Sequence, residues 1–501
     1  MSTPSENPAR ARESGWRAAF DHPRTVLFAA ALLWPLLFVP LLARSFWIDE
    51  AGTYWIARDG LLEAVRRSLD WSGHSILYCA VASLFCIGQG PWREFLLRVP
   101  SLIGYGAALY FTGRLAEKAV GKGAGLVAAV LLGFLPGMVS LATQARPYGL
   151  AIAAVAASYC LLYEWVETRE RGTLAGYVAA SVAVVYLHYV FAVAFAGQAL
   201  YLAWVFFRQK RTEAWGAFAA AAACGVLLLL PLAAPLSGLA QSSRNLSFAR
   251  RPTLLNLAAE LFPPALMIAM LAAALAVAVT SARPARRPVS LDRGILVLAA
   301  AWWLPGTILL YIVSTVTRNI LWVDRYLAFT LPAVACLLTR LAFPFFRLRE
   351  LRLLVVLTVV ICNAPYAWSR YWRTGQLELL PVFRTIRSIS PENRPPVLLR
   401  SDYVESNYYD WRRGRFETTY SAAPLAAYPI ANRVFLLPWN YSAEVERHVE
   451  GLMAGELKGA PEVIYAGWRG EALTALMARF GYRATTIQLN FYRVIVFRRG
   501  G

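Results

Sequence analysis

Charge is scarce in this sequence. Only 16% of its 501 residues are Asp, Glu, Lys or Arg, whereas 58% are hydrophobic, and the mean hydropathy is positive. A soluble globular protein of this length needs a larger charged surface. The composition therefore predicts a multi-pass α-helical membrane protein embedded in a lipid bilayer.

Cysteine and histidine are also few. All six cysteines lie within apolar segments, no two form a CxxC pair, and the chain has only four histidines. We therefore expect no structural zinc site, and we interpret the cysteines as small core residues. The net charge of +20 resides in short basic clusters between apolar runs. This pattern is typical of the positive-inside rule, so we expect no nucleic-acid partner.

The apolar runs predict about eleven transmembrane helices. Residues 1–25 precede them as a polar, Arg-rich cytoplasmic N-terminus, and residues 26–372 form the membrane domain. The predicted spans are Val26–Ala43, Val99–Leu115, Gly123–Leu141, Pro147–Trp165, Leu174–Leu187, Val190–Phe207, Trp215–Leu232, Pro264–Val279, Ile295–Val316, Tyr326–Ala342 and Leu353–Trp368.

Residues 44–97 are predicted to form the first periplasmic loop. Thr53–Trp71 has apolar residues near helical spacing with charges between them, which indicates an interfacial helix. His74–Gly88 is apolar but too short for a comfortable span, so we expect a juxtamembrane or re-entrant helix. A later loop on the same face, Ser237–Leu261, is long enough to be ordered by a substrate.

Residues 373–501 are predicted to be a small periplasmic α/β domain on the active-site face. Strand-like runs alternate with helical ones, and no phosphate-binding glycine motif is present. The predicted strands are Val397–Arg400, Arg433–Leu437, Glu462–Tyr465 and Tyr492–Phe497, and the predicted helices are Ala443–Ala454 and Glu471–Phe480.

Two adjacent acids, Asp49 and Glu50, directly follow the first apolar run and are the candidate catalytic residues. One carboxylate would take a proton from an acceptor hydroxyl, and the other would position the acceptor or a metal ion. A divalent metal is left open as a cofactor. The alternative is that these acids cap the interfacial helix or only mark the water interface.

Three arginines lie near the mouths of predicted spans on the same face. Arg98 could bind a lipid-linked phosphate bidentately, or it could be a snorkelling headgroup anchor. Arg146 and Arg325 lie beside aromatic residues, which is also the pattern of headgroup anchors in an aromatic belt. The candidate donor-phosphate and substrate-binding residues are His74, Arg98, Arg146, Tyr148, His188, Arg325 and Tyr326; for both histidines the alternative is a satisfied interfacial residue.

Six short motifs, in this order, resemble the GT-C glycosyltransferases that use polyprenyl-phosphate sugars. The resemblance is to the bacterial group related to protein O-mannosyltransferases and to the lipid A aminoarabinose and galacturonic-acid transferases. Two departures concern the donor: Ser75 and Ile76 stand where the family has prolines, and Gln144 stands where it often has an acid. The motifs are Trp47-Ile48-Asp49-Glu50, His74-Ser75-Ile76-Leu77-Tyr78, Leu97-Arg98-Val99-Pro100-Ser101, Ala145-Arg146-Pro147-Tyr148, His188-Tyr189, and Arg325-Tyr326-Leu327 with Pro332.

The resemblance implies an inverting sugar transferase in the bacterial inner membrane with its site on the periplasmic side. Asp49 would deprotonate the acceptor, and the arginines would stabilise the departing polyprenyl phosphate. The sugar is left open, and the acceptor would be lipid A, a polysaccharide, another glycolipid or a protein. Two other classes are a lipid or glycan transporter, against which no matching inverted halves are found, and an envelope scaffold.

Overall fold

The computed structural model of the chain describes ten stretches and the single residues 42, 267, 271 and 275. The stretches are 44–71, 73–88, 90–135, 137–209, 215–241, 250–262, 293–317, 319–342, 377–407 and 419–500. The predicted N-terminus 1–25 lies outside them. So do the predicted spans Val26–Ala43, Pro264–Val279 and Leu353–Trp368, apart from single positions.

Five helices within the described stretches are long and apolar enough to cross a bilayer. Two further apolar helices, Ala124–Phe134 and Arg171–Leu187, are shorter. The total of about eleven spans therefore stays a prediction. The five long helices cover Trp92–Val120, Tyr148–Thr168, Tyr189–Arg208, Trp215–Ser237 and Arg293–Val316.

The described part of the membrane region is helical. In chain order the helices are α1 (Ile48–Ala57), α2 (Leu61–Asp70), α3 (Ile76–Ser83), α4 (Pro91–Val120), α5 (Ala124–Phe134), α6 (Met138–Ala142), α7 (Tyr148–Thr168), α8 (Arg171–Leu187), α9 (Ala194–Gln209), α10 (Trp215–Leu229), α11 (Ala233–Gln241), α12 (Leu254–Leu261), α13 (Arg293–Val316) and α14 (Leu331–Ala342).

The predicted interfacial helix Thr53–Trp71 is two helices rather than one. α1 ends at Ala57 and α2 begins at Leu61, and Gly60 between them has φ +96°. This left-handed backbone favours glycine, so the chain turns here instead of continuing one helix. α3 has only eight residues, too few to cross a bilayer.

Helices α4 and α7 cross in close contact at two glycines. A Cβ on Gly149 would overlap the Ser101 carbonyl oxygen and lie 3.0 Å from its carbon, and a Cβ on Gly104 would lie 2.6 Å from the Leu150 Cα. Small residues let two membrane helices approach this closely. At this crossing the Ser101 hydroxyl donates to the Arg146 carbonyl at 2.7 Å, which fixes the segment that precedes α7.

We expect Gly149→Ala to lower the thermal stability of the protein. The added methyl group has no space at the crossing, and overpacking of this kind costs about 1–3 kcal/mol. Gly106→Ala is the matched control, because Gly106 is on α4 and a Cβ there would meet nothing within 4 Å. The check is the melting temperature of both variants in detergent. Equal melting temperatures would show that the crossing tolerates a side chain.

The C-terminal region forms a five-stranded mixed sheet with the order β2-β1-β3-β5-β4. β1 pairs in parallel with β2 and β3, and β5 runs antiparallel to β3 and β4. All four predicted strands are present, whereas β4 was not predicted. The elements are β1 (Val397–Arg400), β2 (Val434–Leu437), β3 (Glu462–Gly467), β4 (Tyr482–Leu489) and β5 (Tyr492–Arg499), with α15 (Leu380–Ser388), α16 (Ala423–Ala427), α17 (Ala443–Ala454) and α18 (Glu471–Arg479).

The missed strand β4 has a physical explanation. Among the described strands it lies at the sheet edge and pairs only with β5, and it exposes most of its side chains. Its residues therefore lack the hydrophobic alternation of a half-buried strand. β1 and β3 are buried along their whole length and have the continuous apolar runs typical of central parallel strands.

Candidate active site

The two adjacent acids occupy the first turn of α1 and point to different sides of it. Successive residues of a helix are rotated by about 100°, so neighbouring carboxylates face different surroundings. Asp49 meets Arg325, whereas Glu50 meets Arg98. The sequence motif therefore separates into an outer acid and an inner acid.

Glu50 and Arg98 form a buried ion pair with side-chain exposures of 1% and 3%. Arg98 Nε donates to Glu50 Oε1 at 2.8 Å, and Nη2 donates to Oε2 at 2.6 Å. The remaining N–H groups of Arg98 donate to the carbonyl oxygens of residues 42, 44 and 45. A guanidinium has five N–H donors, and all of them are used here.

This geometry differs from the phosphate-binding role expected for Arg98 from the sequence. Every donor of Arg98 faces the protein, and its charge is already balanced by Glu50. Glu50 in turn accepts the Ala145 N–H at 2.7 Å. The pair therefore connects α1, α4 and the segment before α7, and it lies behind the site rather than in it.

Arg146 lies on the side of Asp49. Its Nη1 donates to the Asp49 carbonyl oxygen at 3.5 Å, and its backbone is fixed by Glu50 through Ala145 and by Ser101. The Arg146 Nε–H is buried and has no acceptor among the described residues. One donor of this guanidinium is therefore available to a ligand.

Arg325 approaches Asp49 from the 3-10 turn Asp324–Tyr326 that precedes α14. Its Nη1 donates to Asp49 Oδ2 at 2.9 Å, and the guanidinium carbon lies 6.0 Å from the centre of the Trp47 ring. Within the described part of the chain its buried Nε–H also has no acceptor. Asp49, Arg146 and Arg325 thus come together from three segments far apart in the sequence.

The two arginines decide the charge of Asp49. Burial alone would raise the pKa of this carboxyl, but Arg146 and then Arg325 outweigh it and hold the pKa below its usual range. Asp49 is therefore ionised at every physiological pH.

Two histidines line the site in their neutral form. Burial, followed by the charge of Arg146, lowers the pKa of both His74 and His188 to about 3. The His188 ring centre lies 5.3 Å from that of Tyr148 and 5.2 Å from that of Tyr326. His188, Tyr148 and Tyr326 therefore form one aromatic wall of the site.

Seven of the nine predicted residues come together at this place, and Glu50 and Arg98 lie behind them. The predicted loop Ser237–Leu261 contains the end of α11 and the whole of α12, while residues 242–249 lie outside the described chain. No group of three His, Cys, Asp or Glu side chains among the described residues could hold a metal ion.

The sequence did not indicate three tyrosines of the C-terminal domain that surround α1. The Tyr403 hydroxyl donates to the Ile48 carbonyl at 2.6 Å, and the Tyr420 ring lies 4.9 Å from the His74 ring. The Tyr428 hydroxyl accepts the Phe46 N–H at 2.7 Å and donates to Glu94. No local pattern distinguishes these tyrosines, because their partners are more than 300 residues away.

Comparison with family models and with curated protein sequences finds no match. Among solved structures, the crystal structure of ArnT from Cupriavidus metallidurans bound to undecaprenyl phosphate is similar, with a TM-score of 0.51 and 14% identity over 97% of this chain and 98% of that one. The crystal structure of ArnT from the same organism in the apo state has a TM-score of 0.51 and 15% identity, over 97% of this chain and 98% of that one. At this identity the likeness concerns the fold, and the chain has the GT-C membrane fold of ArnT.

Proposed function

We propose that the protein is a glycosyltransferase of the bacterial inner membrane. It transfers a sugar from a polyprenyl-phosphate donor to an envelope acceptor on the periplasmic face, with inversion. The observation that carries this proposal is the carboxylate of Asp49 between two arginines, each with a buried N–H that has no acceptor in the described parts of the chain. The crystal structure of ArnT with undecaprenyl phosphate, which has the same fold, supports the donor class.

The reaction is a single displacement at the anomeric carbon. Asp49 takes the proton of the acceptor hydroxyl while the acceptor oxygen forms its bond to that carbon. The bond from the anomeric carbon to the phosphate oxygen breaks, and its electron pair leaves with polyprenyl phosphate. Asp49 afterwards releases its proton to water.

A phosphate leaving group needs positive charge rather than a proton donor. Arg146 and Arg325 supply it with N–H groups that are held in place before the donor arrives. The imidazoles of His74 and His188 are neutral, so they do not compete with Arg146 and Arg325 for the phosphate. The aromatic wall of His188, Tyr148 and Tyr326 offers flat surfaces for the sugar.

Donor binding also changes the basicity of Asp49. Without donor, the two arginines hold the pKa of Asp49 down, which makes it a weak base. The singly charged phosphodiester of the donor, bound between Arg146 and Arg325, shares their charge, so the pKa of Asp49 rises. The donor phosphate thereby prepares the base that the acceptor needs.

We expect Arg325→Ala to lower kcat/KM for the sugar donor by about 10²–10³-fold. Removal of one preorganised hydrogen-bond group that stabilises developing charge has an effect of this size in other enzymes. Arg325→Lys retains the positive charge but cannot bind a phosphate bidentately. Its kcat/KM is expected to lie between those of the wild type and Arg325→Ala. The measurement is transfer of radiolabelled sugar from polyprenyl-phosphate donors to envelope membranes by the protein in liposomes.

The control is Arg66→Ala, because Arg66 is 63% exposed and its ion-pair partners among the described residues, Glu63 and Asp70, both lie on α2. We expect it to transfer sugar like the wild type. Absence of transfer by the wild type with every donor would refute the proposal and favour a transporter. Transfer unaffected by Arg325→Ala would exclude Arg325 from binding the donor phosphate.

A further inference from the structure

The C-terminal domain packs against both ends of the segment that carries Asp49. Before α1, the Tyr428 hydroxyl accepts the Phe46 N–H, and the Leu379 N–H donates to the Phe46 carbonyl at 3.1 Å. On α1 itself, the Tyr403 hydroxyl donates to the Ile48 carbonyl at 2.6 Å. These contacts hold the residues on either side of Trp47.

A shared apolar cluster seals this contact. It joins Trp55 and Ile56 of α1 and Cys79 of α3 to Tyr403, Tyr420 and Ala423 of the C-terminal domain, all nearly inaccessible to water. Contiguous packing of this kind is typical of a domain core. The C-terminal domain is therefore part of the support of α1 rather than a separate appendage.

Tyr420 fits into a space that exists because residue 52 is glycine. A Cβ on Gly52 would overlap the Tyr420 hydroxyl and lie 2.8 Å from its ring carbon Cε2. Gly52 is three residues after Asp49, on a neighbouring position of the same helix face. The Tyr420 ring also lies 6.0 Å from Trp55 and 4.9 Å from His74, so it separates α1 from the His74 turn.

The two tyrosines act as one unit. Their ring centres are 4.2 Å apart, with an angle of 50° between the ring planes. A phenol has one proton to donate. Tyr403 donates this proton to the Ile48 carbonyl, one residue before Asp49, and the Tyr420 ring packs against the Tyr403 ring.

We propose that Tyr403 and Tyr420 are positioning residues for Asp49, so that the C-terminal domain is a working part of the active site. This inference rests on the proposed function. The hydroxyl of Tyr403 fixes the position of the first turn of α1 through the Ile48 carbonyl. The ring of Tyr420 fixes the distance between α1 and His74. Both contacts keep the Asp49 carboxylate between Arg146 and Arg325.

The test is Tyr403→Phe in the liposome transfer assay. A shift of α1 misplaces the base without changing the phosphate-binding arginines, so we expect kcat to fall by about 10-fold with an unchanged KM for the donor. Asp49 would move away from the charges that favour its ionised form. The acid limb of the pH profile of kcat is therefore expected to move to higher pH.

The matched control is Tyr482→Phe. Tyr482 is also a buried tyrosine of the C-terminal domain, and its hydroxyl donates to the backbone carbonyl of Ala460, away from α1. We expect normal kcat and an unchanged pH profile for this variant. A second test is Gly52→Ala, which displaces Tyr420 from the other side and is expected to lower kcat at least as much as Tyr403→Phe.

Hydrogen exchange gives a readout that does not depend on transfer. Faster exchange of the α1 amides in Tyr403→Phe than in Tyr482→Phe is expected. Exchange, kcat and pH profile that are the same in the two variants would overturn the positioning role. A wild type that exchanges as expected but transfers no sugar would instead count against the proposed function.

Discussion

Asp49→Asn is expected to abolish sugar transfer while the protein remains folded. Asparagine has nearly the shape of aspartate but cannot accept a proton from the acceptor, and general-base catalysis contributes about 10²–10⁴-fold. The substitution also leaves Arg325 without its carboxylate partner. The measurement is the single-turnover rate with saturating polyprenyl-phosphate sugar in liposomes.

Asp59→Asn is the matched control for this substitution. Asp59 follows α1, its side chain is 45% exposed, and it pairs with the neighbouring Arg58 and with Arg67 on α2. We expect its transfer rate to equal that of the wild type. A rate of Asp49→Asn within a few-fold of the wild type would exclude Asp49 as the base.

Glu50→Gln is expected to have the largest effect on stability. Glutamine retains the shape of glutamate but leaves the charge of Arg98 buried without a counter-ion. Breaking a buried ion pair in this way costs about 3–5 kcal/mol. The measurement is thermal unfolding of the purified variant in detergent. The control is Glu63→Gln on α2, because the Glu63 side chain is 29% exposed.

The double variant Glu50→Leu with Arg98→Met separates the effect of this ion pair on stability from its effect on sugar transfer. Replacing both partners removes the unpaired charge, so much of the stability is expected to return. Transfer is expected to stay low, because the Ala145 N–H loses its acceptor and Arg146 loses its fixed position. Glu50→Gln with wild-type stability and no activity would instead place Glu50 in the chemistry.

Much of the architecture follows from hydrophobic patterning, which is a local property. A long apolar run predicts a span wherever it occurs, and α4, α7 and α13 lie where their runs predicted them. Central strands such as β1 and β3 are apolar along their length, so they too were predicted. The edge strand β4 and the break at Gly60 were not, because a polar edge and a single backbone angle leave little hydrophobic signal.

The sequence by itself determined the class of protein and the motifs that resemble the GT-C family. Those properties depend on residue type and on distance along the chain. Only the tertiary structure decided that Asp49 meets Arg325 while Glu50 meets Arg98, because helix rotation and packing assign each carboxylate its partner. It also decided that Tyr403 and Tyr420 support α1, since contacts across more than 350 residues have no local signature.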